Sequence, residues 1–186
     1  ALSQSENVKR VELLTRLIHD KAISEDYAQP VEQVNDKFSI VRIQCGGKKY
    51  MRKELLWPHL DEYVDKTIKY IKRQKQIPDI VHGHYPDAGY VATQLGEIFG
   101  LPVIYTGHSL GRVKRRRLIA SGVNKKDIEK RYNMSRRIEA EEQTLGVAEL
   151  VITSTNQEIE HQYGLYDHYQ PDKMRVVPPG TDLEKF

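Results

Sequence analysis

The sequence predicts an α/β fold, a Rossmann-like doubly wound parallel sheet, and three observations predict it. Short apolar strand-type runs alternate with amphipathic helix-type runs along the chain. That order implies parallel strands joined by right-handed crossovers. The 186 residues are 39% hydrophobic and 30% charged, the balance of a soluble globular chain with enough apolar side chains for one full core. Glycine, histidine, hydroxyl and lysine residues recur just past the strand-type runs. In an open α/β sheet that edge is where ligands bind.

Taken in order, Val11-Glu12-Leu13-Leu14-Thr15 reads as a strand, and Phe38 to Ile43 as another by its alternation. Pro58 opens a helix in which Leu60, Tyr63, Val64, Thr67, Ile68 and Ile71 share one face. Asp79-Ile80-Val81-His82 is a short strand. Ala88, Val91, Ala92, Leu95, Ile98 and Phe99 line a second amphipathic helix, ended by Gly100 and Pro102. Val103 to Thr106 is the next strand. A long basic loop is expected after it, then one helix from about Lys125 to Leu145 with Asn124 as its N-cap. Leu150 to Thr153 is a strand, and Thr155-Asn156-Gln157-Glu158 a capping box that starts a helix. Met174 to Val177 is the last strand, closed by Pro178-Pro179-Gly180. Residues 1–8 read as the tail of a helix, and the central strand with a glycine turn that usually opens such a sheet is not in the sequence.

Bulk chemistry excludes several classes. No apolar stretch approaches the roughly 20 residues that span a bilayer, and no basic-then-apolar leader opens the chain. Cys45 is the only cysteine, so no internal disulfide or CxxC zinc spacing exists, which fits a reducing cytoplasm. A formal charge of +3 neither demands nor excludes a polyanionic partner.

The polar residues past the strands are Gly46-Gly47-Lys48-Lys49, His84-Tyr85, Gly107-His108-Ser109-Leu110-Gly111, Ser154-Thr155 and Pro178-Pro179-Gly180. The run Arg112-Val113-Lys114-Arg115-Arg116-Arg117 fits a solvated turn, an anion clamp or nucleic-acid binding. The last reading lacks stacking aromatics beside the run. Arg137 and Glu141 have the i,i+4 spacing of a helical ion pair, and Arg137 is equally placed to serve a site. His108 stands in a glycine-flanked turn that lets the backbone approach a ligand. Ser109 has no visible base-and-orienter pair, so no nucleophilic triad is expected.

Several blocks together resemble sucrose-phosphate synthase. They are Gly46 to Tyr50 with Lys53 to Pro58, Thr106 to Gly111 with Lys114, Ser135 to Glu142, Glu149 to Thr155 with Gln157 to Glu160 and Tyr163 to Asp167, and Val177 to Asp182. The resemblance implies the N-terminal domain of a GT-B fold, incomplete at both ends. Residues 1–180 would be a partial acceptor-binding domain lacking its first strand, and 181–186 the start of a connection to a C-terminal donor-binding domain. The implied enzyme is a hexosyltransferase that moves glucose from UDP-glucose, or ADP-glucose in some bacterial members, to fructose 6-phosphate. The product would be sucrose 6-phosphate, with anomeric configuration kept.

Carried over residue by residue, Lys53, Lys114 and Arg137 resemble the cations that bind the acceptor phosphate. Ser109 adds a hydroxyl bond, Tyr85 lines the acceptor pocket, and His108 faces the donor glucose as the catalytic candidate. Small-molecule substrates are the expected partners, with no nucleic acid and no membrane. No cofactor or metal is expected in this piece, and magnesium dependence of the whole enzyme stays open. The alternatives are sucrose synthase or another retaining transferase of the same fold, or a non-catalytic sugar-phosphate module. Catalysis across a cleft needs both substrates oriented together. This chain alone is therefore expected to show no transferase activity; sucrose phosphate formed by the purified chain from nucleotide-glucose and fructose 6-phosphate contradicts that expectation.

Overall fold

The computed structural model describes residues 2–180. The connection expected over 181–186 lies outside the described residues. The chain divides into two compact units, Ala1–Lys75 and Gln76–Phe186.

In the first unit the strands are β1 (Val11–Arg16), β2 (Val31–Asn35) and β3 (Phe38–Ile43), in sheet order β1-β3-β2. The pairing of β1 with β3 is parallel, Val11 facing Phe38 and Arg16 facing Ile43. The edge strand β2 runs antiparallel to β3, with an irregularity between Gln33 and Asn35. It is polar and mostly exposed, so it carries little of the apolar alternation by which a strand is recognised.

Helix α1 (Leu60–Gln74) buries Leu60, Tyr63, Val64, Thr67 and Ile71, the face its apolar period predicts. A 3-10 turn over Trp57–His59 precedes it, so Pro58 belongs to that turn and the α-helix proper begins two residues later. Past β3, the Arg16 guanidinium gathers the loop that follows. It donates from Nε to the Cys45 carbonyl at 2.9 Å and from Nη2 to the Gly47 and Lys49 carbonyls, each at 2.9 Å. The Gly46 amide donates to Glu62 of α1 at 2.9 Å. Gly46 has φ +54, and a Cβ there would lie 2.5 Å from the His59 ring, so only glycine fits.

In the second unit β4 (Val81–His84), β5 (Val103–Thr106), β6 (Leu150–Thr153) and β7 (Met174–Val176) form a sheet in that order, every pair parallel. Helix α2 (Pro86–Phe99) joins β4 to β5 and ends at Gly100, whose φ of 67 is the left-handed conformation expected at a helix terminus. Three helices lie between β5 and β6: α3 (Gly111–Ala120), α4 (Lys125–Tyr132) and α5 (Met134–Val147). The short α6 (Asn156–His161) follows β6. Tyr105, Leu110, Ile128, Met134, Ile138, Leu145, Val151, Tyr163 and Tyr166 belong to one buried apolar cluster. Helices α2 and α5 meet at Gly89, where a Cβ would stand 2.8 Å from the Tyr105 ring and 2.9 Å from the Thr144 hydroxyl.

The sequence reading needs three corrections here. The expected basic loop after β5 is α3, a helix whose arginines 115 to 117 are exposed. Arginine and lysine are good helix formers, so the run is helical without an apolar stripe. The single helix expected from Lys125 to Leu145 is two, divided at Asn133, which takes φ 48. The strand placed at Asp79 to His82 is Val81–His84. Both predicted caps form: the Asn124 side chain accepts from the Asp127 amide at 2.9 Å and the Thr155 hydroxyl from the Glu158 amide at 3.1 Å.

Candidate functional site

The chemistry-bearing residues of the second unit gather where β4 and β5 end. β4 leads into Tyr85, which takes φ 78 and donates its amide to the Thr106 carbonyl at 2.9 Å. The next residue is Pro86, which opens α2 and has no N–H to satisfy. β5 leads into Gly107, where a Cβ would lie 2.7 Å from the Tyr163 hydroxyl. That hydroxyl accepts the Gly107 amide at 3.1 Å. His108 then takes φ 54, and the Ser109 amide returns to the Gly107 carbonyl at 2.6 Å. Tyr85 and His108 are thus side-chain-bearing residues in the left-handed region. Such positions cost about 1–3 kcal/mol each and persist where neighbours hold them.

Tyr85, and Ser109 next to His108, are held by Arg137 of α5, 4% exposed. Its Nη1 donates to the Tyr85 hydroxyl at 2.7 Å and its Nη2 to the Ser109 carbonyl, with the Ser109 hydroxyl at 3.3 Å. Its Nε donates to Glu141 at 3.0 Å, and its guanidinium lies 4.7 Å from the Tyr85 ring centroid. Glu141, wholly buried, accepts the Gly111 amide on both oxygens at 3.0 and 2.9 Å and the Tyr166 hydroxyl on one. Burial pushes the Glu141 carboxyl up from its ordinary value, against the pull of the Arg137 charge.

Histidine chemistry lies beside this pair. His82 and His84, two residues apart on β4, stack with ring centroids 4.1 Å apart. His84 stacks in turn on His108 at 5.2 Å, its Nδ1 3.0 Å from His108 Nε2. His82 Nε2 lies 2.8 Å from the Thr106 hydroxyl. His82 and His84 both keep solvent contact, and partial desolvation depresses His82 to about 4, helped by the proximity of His84 and His108. Partial desolvation and His108 lower His84 as well. Among the described residues no group of three or more His, Cys, Asp or Glu is placed to hold a metal ion.

Of the residues singled out in the sequence, Tyr85, His108, Ser109 and Arg137 come together in this cluster. Lys114, one turn into α3, holds its amine 4.0 Å from the Tyr132 ring centroid. Lys53 lies in the first unit, on an exposed 3-10 turn, Lys53–Leu55. Arg112, the first residue of the basic run, pairs with Glu142 and with Asp167, the latter at 2.7 Å. Sequence reasoning missed Glu141, Tyr163 and Tyr166 as supports of the site. Arg137-to-Glu141 spacing was the one local signal for them.

Comparison with known proteins fits this architecture. Residues 3–182 match the family described as the sucrose synthase first GT-B domain. The chain belongs to that family. It is 40% identical to sucrose-phosphate synthase 4 of Arabidopsis thaliana and 37% identical to sucrose-phosphate synthase of Zea mays, over 98% of this chain in each case. The chain spans about a fifth of the length of these relatives, 22% of each. Sucrose-phosphate synthase from Thermosynechococcus elongatus has the same fold, with a TM-score of 0.76 at 24% identity over 95% of this chain and 40% of that one. Membership of the sucrose synthase first GT-B domain family bears out the fold class read from the sequence. No helix among the described residues is long and apolar enough to cross a membrane.

The histidine environment has a pH consequence. An unfolded His82 takes a proton near its ordinary 6.5, whereas the folded one resists to about 4. His82 therefore contributes stability in full above about pH 6.5 that is lost as pH falls toward about 4. Imidazole NMR titration should place the His82 midpoint near 4 and that of His84 below 6.5. A His82 midpoint at its ordinary value contradicts the environment described.

Proposed function

We propose that this chain is the acceptor-binding part of a retaining glycosyltransferase that moves glucose from UDP-glucose or ADP-glucose to fructose 6-phosphate, giving sucrose 6-phosphate. The observation that carries the proposal is the match of nearly the whole chain to the sucrose synthase first GT-B domain, together with relatives named sucrose-phosphate synthase at 36% identity and above. The nucleotide-sugar donor is assigned to the part of the enzyme that this chain does not span.

In this reading His108 faces the transferred glucose, and Tyr85 and Ser109 line the acceptor. Lys114 and Arg137 are proposed cations for the acceptor phosphate; Lys53 is a candidate on the family resemblance alone. A phosphate dianion calls for charge-assisted donors, whereas a neutral sugar calls for hydroxyl and imidazole partners. Three of the five N–H groups of Arg137 already serve Glu141, Tyr85 and Ser109. At most two remain for a phosphate, so its part in binding is as much to place Tyr85 and Ser109 as to meet the anion. Arginines 115 to 117 are given no role in the reaction. Cys45 is buried and unpaired, and the reaction is placed in the cytoplasm.

The test compares acceptors on the full-length protein. Fructose 6-phosphate should be used with kcat/KM about 100-fold or more above fructose, the worth of roughly two charge-assisted hydrogen bonds. Lys114→Ala should raise KM for fructose 6-phosphate about tenfold. Equal rates on the two acceptors would remove the phosphate assignment and favour a sucrose synthase.

A further inference from the structure

Three imidazoles stand in a row in the second unit, and the transfer reading uses only the last of them. His84 Nδ1 and His108 Nε2 face one another at 3.0 Å. Two lone pairs at that distance repel, and two N–H groups collide, so the pair shares one proton. The rest of the row keeps His84 in place. His82 stacks on it at 4.1 Å and 30°, and His82 is itself tied to the Thr106 hydroxyl at 2.8 Å. Thr106 is the strand partner of His84 in the β4–β5 ladder.

We propose that His84 is a positioning residue for His108. It accepts a hydrogen bond at Nδ1 from the Nε2–H of His108, which fixes His108 in the Nε2–H tautomer and leaves its Nδ1 lone pair to accept from a substrate hydroxyl. The direction of the bond follows from tautomer chemistry. An unconstrained neutral imidazole prefers its proton on Nε2. Donation from His108 to His84 lets both rings keep that form, whereas the reverse forces both into the minor Nδ1–H form. The tautomer of a functional histidine is set by the bond its other nitrogen makes. Here that bond comes from a neighbouring histidine instead of a carboxylate or a carbonyl. The backbone adds a second constraint, since His108 takes φ 54 and its ring reaches His84 from a left-handed turn.

The assignment of the Nδ1 lone pair to a sugar hydroxyl rests on the proposed transferase reading; the hydrogen bond itself does not. The test therefore has two arms. In the first, long-range proton–nitrogen NMR spectra of the histidine-labelled chain are recorded at about pH 8, where histidines are neutral. His108 should carry its proton on Nε2, with Nδ1 unprotonated. His84→Asn, which keeps an acceptor in place of Nδ1, should preserve that pattern. His84→Phe, which keeps a stacking ring and removes the acceptor, should give an average of two tautomers. An Nδ1–H His108 in the unaltered chain overturns the proposal without any variant, as does an unchanged spectrum in His84→Phe.

In the second arm, transfer is measured on the full-length protein. His84→Phe should lower kcat about tenfold, the worth of one hydrogen bond, with KM for fructose 6-phosphate changed by less than about twofold, and His84→Asn should restore most of the rate. Equal kcat in wild type and His84→Phe overturns the positioning role. A wild-type protein that transfers glucose to no hexose, with the His108 tautomer as described, overturns the transferase reading and supports the hydrogen bond.

Discussion

The second unit depends on one buried ion pair, Glu141 with Arg137. The carboxylate takes the Gly111 amide, the Tyr166 hydroxyl and the Arg137 Nε. It thereby ties the start of α3 and the segment after α6 to α5. The guanidinium passes that order on to Tyr85 after β4 and to Ser109 after β5. Three segments distant in sequence, around Tyr85, Ser109 to Gly111 and Tyr166, meet around two side chains on one helix. A buried pair of this kind adds little net stability over an apolar substitute, because desolvation offsets the attraction. Its contribution is geometric: it fixes where two turns stand, and those turns carry the candidate site.

The strained backbone becomes intelligible in these terms. Tyr85 and His108 both hold positive φ without being glycine. Each is restrained from outside its own turn, Tyr85 by Arg137 and by its amide bond to Thr106, His108 by the facing ring of His84. Gly107, just before His108, must lack a side chain because a Cβ there would lie 2.7 Å from the Tyr163 hydroxyl and from Leu110 Cδ2. The Tyr163 hydroxyl thus takes the Gly107 amide and the Tyr166 hydroxyl the Arg112 amide, and the histidine row lies alongside.

Much of this fold is legible in the residues. Apolar alternation finds β1, β3, β5 and β6. The three-to-four spacing of apolar positions finds α1 and α2, and Asn124, Thr155 and Gly100 mark helix ends through their cap chemistry. Legibility fails where burial is not periodic. Strand β2 is an exposed edge, and α3 offers the solvent a cationic face, so neither shows an apolar pattern. The break at Asn133 is a single left-handed residue inside an otherwise helical run. At the site, glycines and histidines past the strands point to the right edge of the sheet. Glu141 does not stand out, since it sits among Glu139 and Glu142 and its burial is decided by α3 and Tyr166, both distant in sequence.

A double-mutant cycle on the ion pair, read by urea unfolding of the chain, tests this account most directly. Arg137→Met and Glu141→Gln should each cost about 3–5 kcal/mol, since either leaves a buried charge or its donors uncompensated. The double variant should cost less than the sum of the two by about 2 kcal/mol or more. Single costs near zero that simply add would mean that the pair organises nothing.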